Sequence, residues 1–451
     1  MNIVVVGCGK IGTSLIANLV KEGHDVVAID NDPEAIADIR DIYDVICLCG
    51  NGADYDILTE AEIDKAVMFI AVTGSDELNM LSCIIAKKMG AQHTVARVRN
   101  PEYNEKNLGF IKQQIDLSLS LNPELLTAHE LFNILRLPSA VNIETFSRNF
   151  EMIELVVKQD SAINGMALID MRKKYSCNFL VCVVQRGEKI YIPDGNFVLQ
   201  SGDRIGLTAA PSQVQKLIGK MGLAKKQAKN VMILGASKTA FYLSKMLLDA
   251  GTDVKLIDLD KKRCEEVSAK LTGATVINGD GAEQELLLEE GITSCDAFVT
   301  LTGMDEENIL ISYYAMTNGV PKVITKVNRS ELCYMADKLG LDTVISPKKT
   351  VCDVVSRYAR ALENSLESNI ETLYKLMDGR VEAVEFLISP DFKYINIPIR
   401  ELKFKENILI SGILRKRKAI IPTGDDFFAA GDSVVVIAAD RQINNISDIM
   451  R

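Results

Sequence analysis

The chain has 451 residues, 47% apolar and 25% charged, with a formal net charge of −10; this is an ordinary globular composition, long enough for about three domains of ~150 residues. The acidic balance argues against a general affinity for nucleic acid or anionic lipid, either of which would want a basic face. No apolar run approaches the roughly 18 to 20 residues of a membrane span, and ten scattered cysteines without a C-x-x-C pair, with only three histidines, point to reduced thiols and no metal site.

In chain order, Ile3 to Val6, Val26 to Ile29, Val45 to Leu48, Val67 to Val72 and Thr94 to Val98 read as strands separated by amphipathic helices, with a short sixth strand near Ile115 to Leu119. That alternation predicts a parallel sheet. Asn122-Pro123 opens a crossover helix that Pro138 stops. The texture then changes to alternating strands: Phe150 to Val157, Phe179 to Gln185, Lys189 to Ile192 and Arg204 to Thr208, with turns at Pro193-Asp194-Gly195 and Gly202-Asp203.

The order then repeats. Strands near Val231 to Leu234, Val254 to Ile257, Thr275 to Ile277, Ala297 to Leu301, Val323 to Val327 and Thr343 to Ser346 rebuild the sheet, Ser346-Pro347 opens a second crossover helix running to about Leu362, and Ala383 to Ile388, Ile408 to Arg415, Lys418 to Ile421 and Ser433 to Ala438 rebuild the β-rich part. Pro422-Thr423-Gly424 and Gly431-Asp432 are the matching turns. The expected class is α/β, a tandem duplication of a Rossmann-like parallel sheet domain followed by a small β-rich α+β lobe. Boundaries are expected at 1–120 and 121–139 for the first Rossmann unit and crossover helix, 140–222 for the first lobe, 223–229 for a linker, and 230–347, 348–369 and 370–451 for the second set. The basic runs Lys225-Lys226 with Lys229 and Arg415-Lys416-Arg417-Lys418 read as a linker and a hairpin turn.

Gly7-Cys8-Gly9-Lys10-Ile11-Gly12 ends a strand and opens a helix, with Asp30 at the end of the next strand. In this context the first glycine makes the tight turn, the second admits a pyrophosphate to backbone N–H groups, and the third lets helix and sheet pack closely. Asp30 can accept both ribose hydroxyls, and with Asp32 it would repel a 2'-phosphate, which favours NAD(H) or an adenine nucleotide over NADP(H); a solvated turn carboxylate is the alternative. Gly50 to Asp54, Thr73 to Glu77 and Arg97 to Asn100 reach the same carboxyl edge. Thr73, Gly74 and Arg97 are candidate contacts. The Thr73-x-x-Asp76 spacing would equally serve helix capping, and Arg97 a surface ion pair.

The second copy is eroded: Gly235-Ala236-Ser237-Lys238-Thr239-Ala240 keeps only the first glycine, while Asp258, Asp280, Thr302, Gly303 and Lys326 remain. Weaker binding, a different nucleotide or an empty pocket is expected there. His24 and His93 precede strands and His129 belongs to the crossover helix, so none is placed as the acid/base a dehydrogenase needs. Duplicating a cofactor fold in place of adding a substrate domain points to a sensor, not an enzyme. An NAD-dependent oxidoreductase with internal duplication and a regulator of a different cation transporter are the competing readings.

This order, with Gly7 to Gly12, Asp30, Thr73-Gly74-Ser75-Asp76-Glu77-x-Asn79 and Ala96-Arg97-Val98-Arg99, resembles the RCK (regulator of potassium conductance) family over nearly the whole chain. The resemblance implies a cytoplasmic protein, peripheral on the inner face of the cell membrane, that binds NAD(H) and, in some members, ATP or ADP. It also implies docking on a separate integral membrane subunit that translocates potassium, and self-association into a ring, here a homotetramer.

Overall fold

The computed structural model describes residues 1–100, 103, 114–137, 140–146, 150–175, 178–223, 228–341, 343–367, 370–416, 418–441, 443 and 445–451. The linker lysines Lys225 and Lys226, the helix-ending Pro138 and Arg417 of the basic turn lie outside them. Six parallel strands, β1 (Asn2–Val6), β2 (Asp25–Asp30), β3 (Ile46–Cys49), β4 (Met68–Ala71), β5 (His93–Arg97) and β6 (Leu119–Leu121), form a sheet of order β3-β2-β1-β4-β5-β6. This doubly wound order reverses between β1 and β4, where a ligand crevice is expected at the strands' carboxyl ends. Both faces are covered by helices, so the strands are apolar throughout: Ile3, Val5, Met68 and Ile70 fill one layer of core, Val4, Phe69 and Ala71 the other. The sixth strand lies later than expected, because residues 114 and 115 are helical.

The first lobe is a five-stranded antiparallel sheet, order β10-β9-β11-β8-β7, built from β7 (Ala140–Phe146), β8 (Phe150–Val156), β9 (Phe179–Arg186), β10 (Lys189–Tyr191) and β11 (Arg204–Ala209). The second half repeats both sheets: β12 (Asn230–Leu234), β13 (Asp253–Asp258), β14 (Thr275–Asn278), β15 (Ala297–Thr300), β16 (Lys322–Lys326) and β17 (Val344–Ile345) in the order β14-β13-β12-β15-β16-β17, then β18 (Ile370–Leu376), β19 (Val381–Leu387), β20 (Ile408–Arg415), β21 (Lys418–Ile420) and β22 (Ser433–Ala439) in the order β18-β19-β22-β20-β21. Sequence reading did not find β7 and β18. Both are edge strands with one partner each, and polar residues such as Glu144 and Lys375 interrupt their apolar pattern.

The turns at Gly202-Asp203 and Gly431-Asp432 do more than reverse the chain. Gly202 and Gly431 take φ of +89° and +80°, which side chains resist, and each following aspartate is buried and gripped from two sides. Arg186 donates to both oxygens of Asp203 at 2.7 Å and Gln200 N–H donates at 2.8 Å; Arg415 and Ala429 hold Asp432 in the same way.

The halves are interlocked. The first crossover helix (Pro123–Arg136) packs Ala128, Leu131, Ile134 and Leu135 against Ala240, Leu243 and Leu247 of the second Rossmann unit. Reciprocally, the second crossover helix (Pro347–Glu367) packs Val351, Val355, Ala359 and Leu362 against Leu15, Ile16 and Leu19 of the first. The lobes also meet face to face, Met152, Cys182 and Val183 against Met377, Ala383, Val435 and Ile437. Among the described residues no helix is long and apolar enough to cross a membrane.

Candidate functional site

The glycine loop has little freedom except where a ligand would come. Gly7 sits at φ +99°, and a Cβ there would lie 2.8 Å from Thr73 N; at Gly12 it would lie 1.7 Å from Gly7 O. At Gly9 nothing lies within 4 Å of that position, so the loop presents open backbone at its middle glycine. The helix that follows, Lys10–Lys21, has no side-chain cap, which leaves its first-turn N–H groups and positive dipole end facing the crevice.

Asp30 is already employed in the loop: Oδ2 accepts Cys8 N–H at 2.6 Å and Oδ1 accepts Asp32 N–H at 2.9 Å. A carboxylate has lone pairs beyond these two bonds, so a ribose contact stays available, but the residue also latches β1 to β2. Cys8 is buried and is not among the residues that line the cleft, its thiol pushed up to about 12 by burial first and then by the Asp30 charge. Gly12 is likewise packed inside. The capping-box reading of Thr73-x-x-Asp76 does not hold. Ser75 is the N-cap; Thr73 donates its N–H and hydroxyl to Asn79 Oδ1 at 2.8 and 2.7 Å, and Asp76 Oδ2 accepts Arg99 and Asn100 N–H at 2.8 and 2.7 Å. Asn79, fully buried, completes the frame by donating to Arg97 O at 2.9 Å. Arg97 is not a surface ion pair. Its guanidinium lies against Thr73 O in the crevice, with its proton affinity lowered chiefly by burial and next by Arg99.

The second half reproduces this frame. Asp258 accepts Ala236 and Asp260 N–H at 2.5 and 2.8 Å, Asn308 joins Thr302 to Lys326 O, and Asp305 holds Asn328 and Arg329 N–H. The difference lies at the helix start, where Ser237 replaces Gly9 and its hydroxyl accepts Ala240 N–H at 3.3 Å. The helix start is thus capped by a side chain in the second half and not in the first.

The two sites are not separate. Interlocking brings the glycine-loop helices together, and one cleft of about 930 Å³ holds Gly7, Gly9, Lys10, Ile11, Asp30, Thr73, Gly74 and Arg97 from the first half with Ser237, Lys238, Thr239, Arg263, Lys326 and Lys348 from the second. Lys238 and Thr239, expected in the second site, therefore face the first. Among the described residues the cleft is lined by seven cations (Lys10, Arg97, Arg99, Lys238, Arg263, Lys326, Lys348) against the carboxylates Asp30 and Glu124. In a chain of net charge −10 that concentration of positive charge selects anions.

The second pocket is about 330 Å³, lined by Gly235, Asp258, Asp280, Thr302, Gly303 and Lys326 among others; Ala236 lines a groove next to the cleft instead. Asp280 stands where the first half has Asn51, and Glu307 where it has Leu78. Burial and the charges of Asp280 and Asp258 raise the Glu307 carboxyl; with Asp258, Asp280 and Glu307 set against Arg263 and Lys326, this pocket favours a phosphate less than the cleft does. Sequence reading placed Arg99 at this edge without naming it as a contact and did not find Glu124, Arg263 or Lys348; the loss of the second and third glycines, at Ser237 and Ala240, was its sign of the asymmetry. His24, beside Glu363, and His93, beside Tyr358, belong to the amino edge and line no pocket described. Among the described residues no cluster suited to a metal ion occurs.

The TrkA-N domain family matches residues 3–111 and 231–347 and the TrkA-C domain family residues 152–222 and 383–451. The chain is 32% identical to a Trk system potassium uptake protein TrkA homolog of Archaeoglobus fulgidus over 100% of both chains, and 32% identical to TrkA homolog 1 of Methanosarcina mazei over 97% of both. It is 28% identical to Trk system potassium uptake protein TrkA of Haemophilus influenzae over 100% of this chain and 98% of that one. The GsuK RCK domain superposes with a TM-score of 0.65 at 16% identity, over 97% of this chain and 92% of that one. The GsuK channel bound to NAD gives 0.63 at 16% identity over 97% and 76%; at this identity the likeness is one of fold.

Proposed function

The chain belongs to the TrkA family, with paired TrkA-N and TrkA-C domains, and from that premise we propose that it is the nucleotide-binding regulatory subunit of a potassium uptake system. It acts from the cytoplasmic side on a separate potassium-translocating membrane subunit. The observation that carries this reading is the shared cleft: an open glycine loop, an uncapped helix start and cations from both halves around it. NAD(H) is the leading ligand and ATP or ADP the next, held by Gly7 to Gly12, Asp30, Thr73, Gly74 and Arg97; Cys8 and Gly12 act by shaping the loop. Because Lys238, Arg263 and Lys326 belong to the other half, a ligand whose phosphates they touch favours one relative position of the halves, and differential affinity of this kind shifts a conformational equilibrium. Among the described residues no histidine lines the cleft, and a receptor is the reading preferred here over an oxidoreductase.

Calorimetric titration with NAD+, NADH, ATP and ADP, followed by potassium flux in vesicles carrying the membrane subunit, tests this. Absence of nucleotide binding, or flux indifferent to the bound nucleotide, refutes it. Asp30→Ala is a poor control, since it also releases Cys8 and Asp32 N–H.

Glu124 offers a cleaner one. Its Oε2 is buried without a hydrogen bond, and its charge reaches both Arg97 and Lys326. Glu124→Gln removes a competitor for those cations and is expected to tighten nucleotide binding about threefold to tenfold, less so in high salt. An unchanged Kd by calorimetry would place Glu124 outside the ligand's field.

Self-association into a ring has a candidate surface. Helix Asp305–Thr317 with its N-cap Met304, and helix Ser330–Lys338, expose Met304, Leu310, Tyr313, Tyr334 and Met335, large apolar side chains of the kind an interface covers. Leu310→Asp is expected to lower the mass found by light scattering from that of four chains to a smaller species. A mass that stays at four places the interface elsewhere.

A further inference from the structure

The helix that starts at the first glycine loop ends, about 18 Å away at 1.5 Å per residue, on a buried charge chain that leaves the Rossmann unit. Glu22 is its C-cap residue. The Glu22 carboxylate lies 3.5 Å from Arg360 on the second crossover helix, and the same guanidinium donates to Glu382 on β19 at 2.9 Å. All three side chains are at least nine-tenths buried. The seam is fastened along its length, since Asn18 donates to Ser356 at 2.5 Å and Leu15, Ile16 and Leu19 pack on Val351, Val355 and Ala359. His24, 3.3 Å from Glu363 and 4.0 Å from Glu22, closes its far end.

Among the described residues the other half has no such chain. Arg136, in the place of Arg360, pairs with Glu151 at 2.7 Å, but Ala250 ends the second glycine-loop helix where Glu22 ends the first. Among the described residues the connection therefore occurs for the half whose loop is open to a ligand and not for the other.

The geometry points to Arg360 as a relay that carries the state of the first pocket to the second lobe. It is a positioning residue: a ligand that draws the helix Lys10–Lys21 toward itself moves Glu22, and through Arg360 the strand β19. The relay rests on the nucleotide reading above. Two carboxylates on one buried guanidinium transmit such a shift because neither can be abandoned without stranding a charge.

The test is amide hydrogen exchange of the full chain with and without NADH, read at residues 381–387, beside calorimetric Kd values. Glu22→Gln should fold, since it leaves Arg360 with Glu382 alone, as Arg136 already stands with Glu151. Wild type is expected to show NADH slowing exchange in β19. Glu22→Gln is expected to keep its NADH Kd within about threefold and lose most of that slowing, and Glu382→Gln to do the same, while Glu151→Gln responds as wild type does. NADH slowing of β19 that persists in Glu22→Gln overturns the relay, and so does a loss of NADH binding in that variant beyond tenfold, which would make Glu22 part of the pocket. Wild-type binding without any change in β19 refutes the relay alone; no nucleotide binding at all refutes the nucleotide reading and the relay with it.

Discussion

Gly12→Ala is expected to raise the Kd for NADH at least a hundredfold, about 2.7 kcal/mol, while the chain still folds. The added methyl would stand 1.7 Å from Gly7 O, and backbone, unlike a flexible side chain, cannot swing aside. To admit it, the helix start must lift from β1, and Gly9 and Lys10 N–H lose their common aim at one phosphate position. Anion binding at a helix start depends on that convergence. Folding survives because the second half carries the substituted form: Ala240 is fully buried in an equivalent sheet, with Ser237 accepting its N–H. Calorimetry with NADH, beside circular dichroism to confirm the fold, checks this; a Kd within threefold of wild type would mean that the loop is not the phosphate cradle.

Asn79→Ala is expected to destabilise the first Rossmann unit by about 2–4 kcal/mol, since it strips the buried Asn79 amide from two half-buried backbone groups and a hydroxyl at roughly 1–3 kcal/mol each, with partial relaxation. The amide joins Thr73 on the β4 loop to Arg97 on β5, so both cleft walls loosen and nucleotide affinity falls too. Ser75→Ala, which removes the N-cap bond to Leu78 N–H and a donation to the exposed Glu77 carboxylate, should cost about 1 kcal/mol. Scanning calorimetry separates them: the transition that NADH raises should drop several degrees further for Asn79→Ala. Equal shifts would reduce Asn79 to an ordinary helix residue.

Much of the site was legible because phosphate recognition by a Rossmann unit is local. A turn, a helix start and an acid at the next strand end lie within some thirty residues, so Gly7, Gly9 and Asp30 could be placed from order and spacing. Legibility stopped where one residue served two elements. Asp76 has the spacing of a cap yet holds Arg99 and Asn100 N–H across the strand, and nothing local in Thr73-x-x-Asp76 distinguishes these uses. Strands β7 and β18 were missed because polar residues such as Glu144 and Lys375 interrupt their apolar pattern.

The duplication, the parallel sheets and the difference between the glycine loops followed from sequence, since repeats and turn glycines express short-range geometry. Tertiary structure alone decided which half each crossover helix covers, because the apolar faces of helices 123–136 and 347–367 would suit either Rossmann unit. From that exchange come the positions of Lys238, Arg263 and Lys348 in the first unit's cleft and of Arg360 between Glu22 and Glu382. Burial is non-directional, so a hydrophobic stripe announces that it will be covered without naming its cover; charges brought together by that choice leave no periodicity to read.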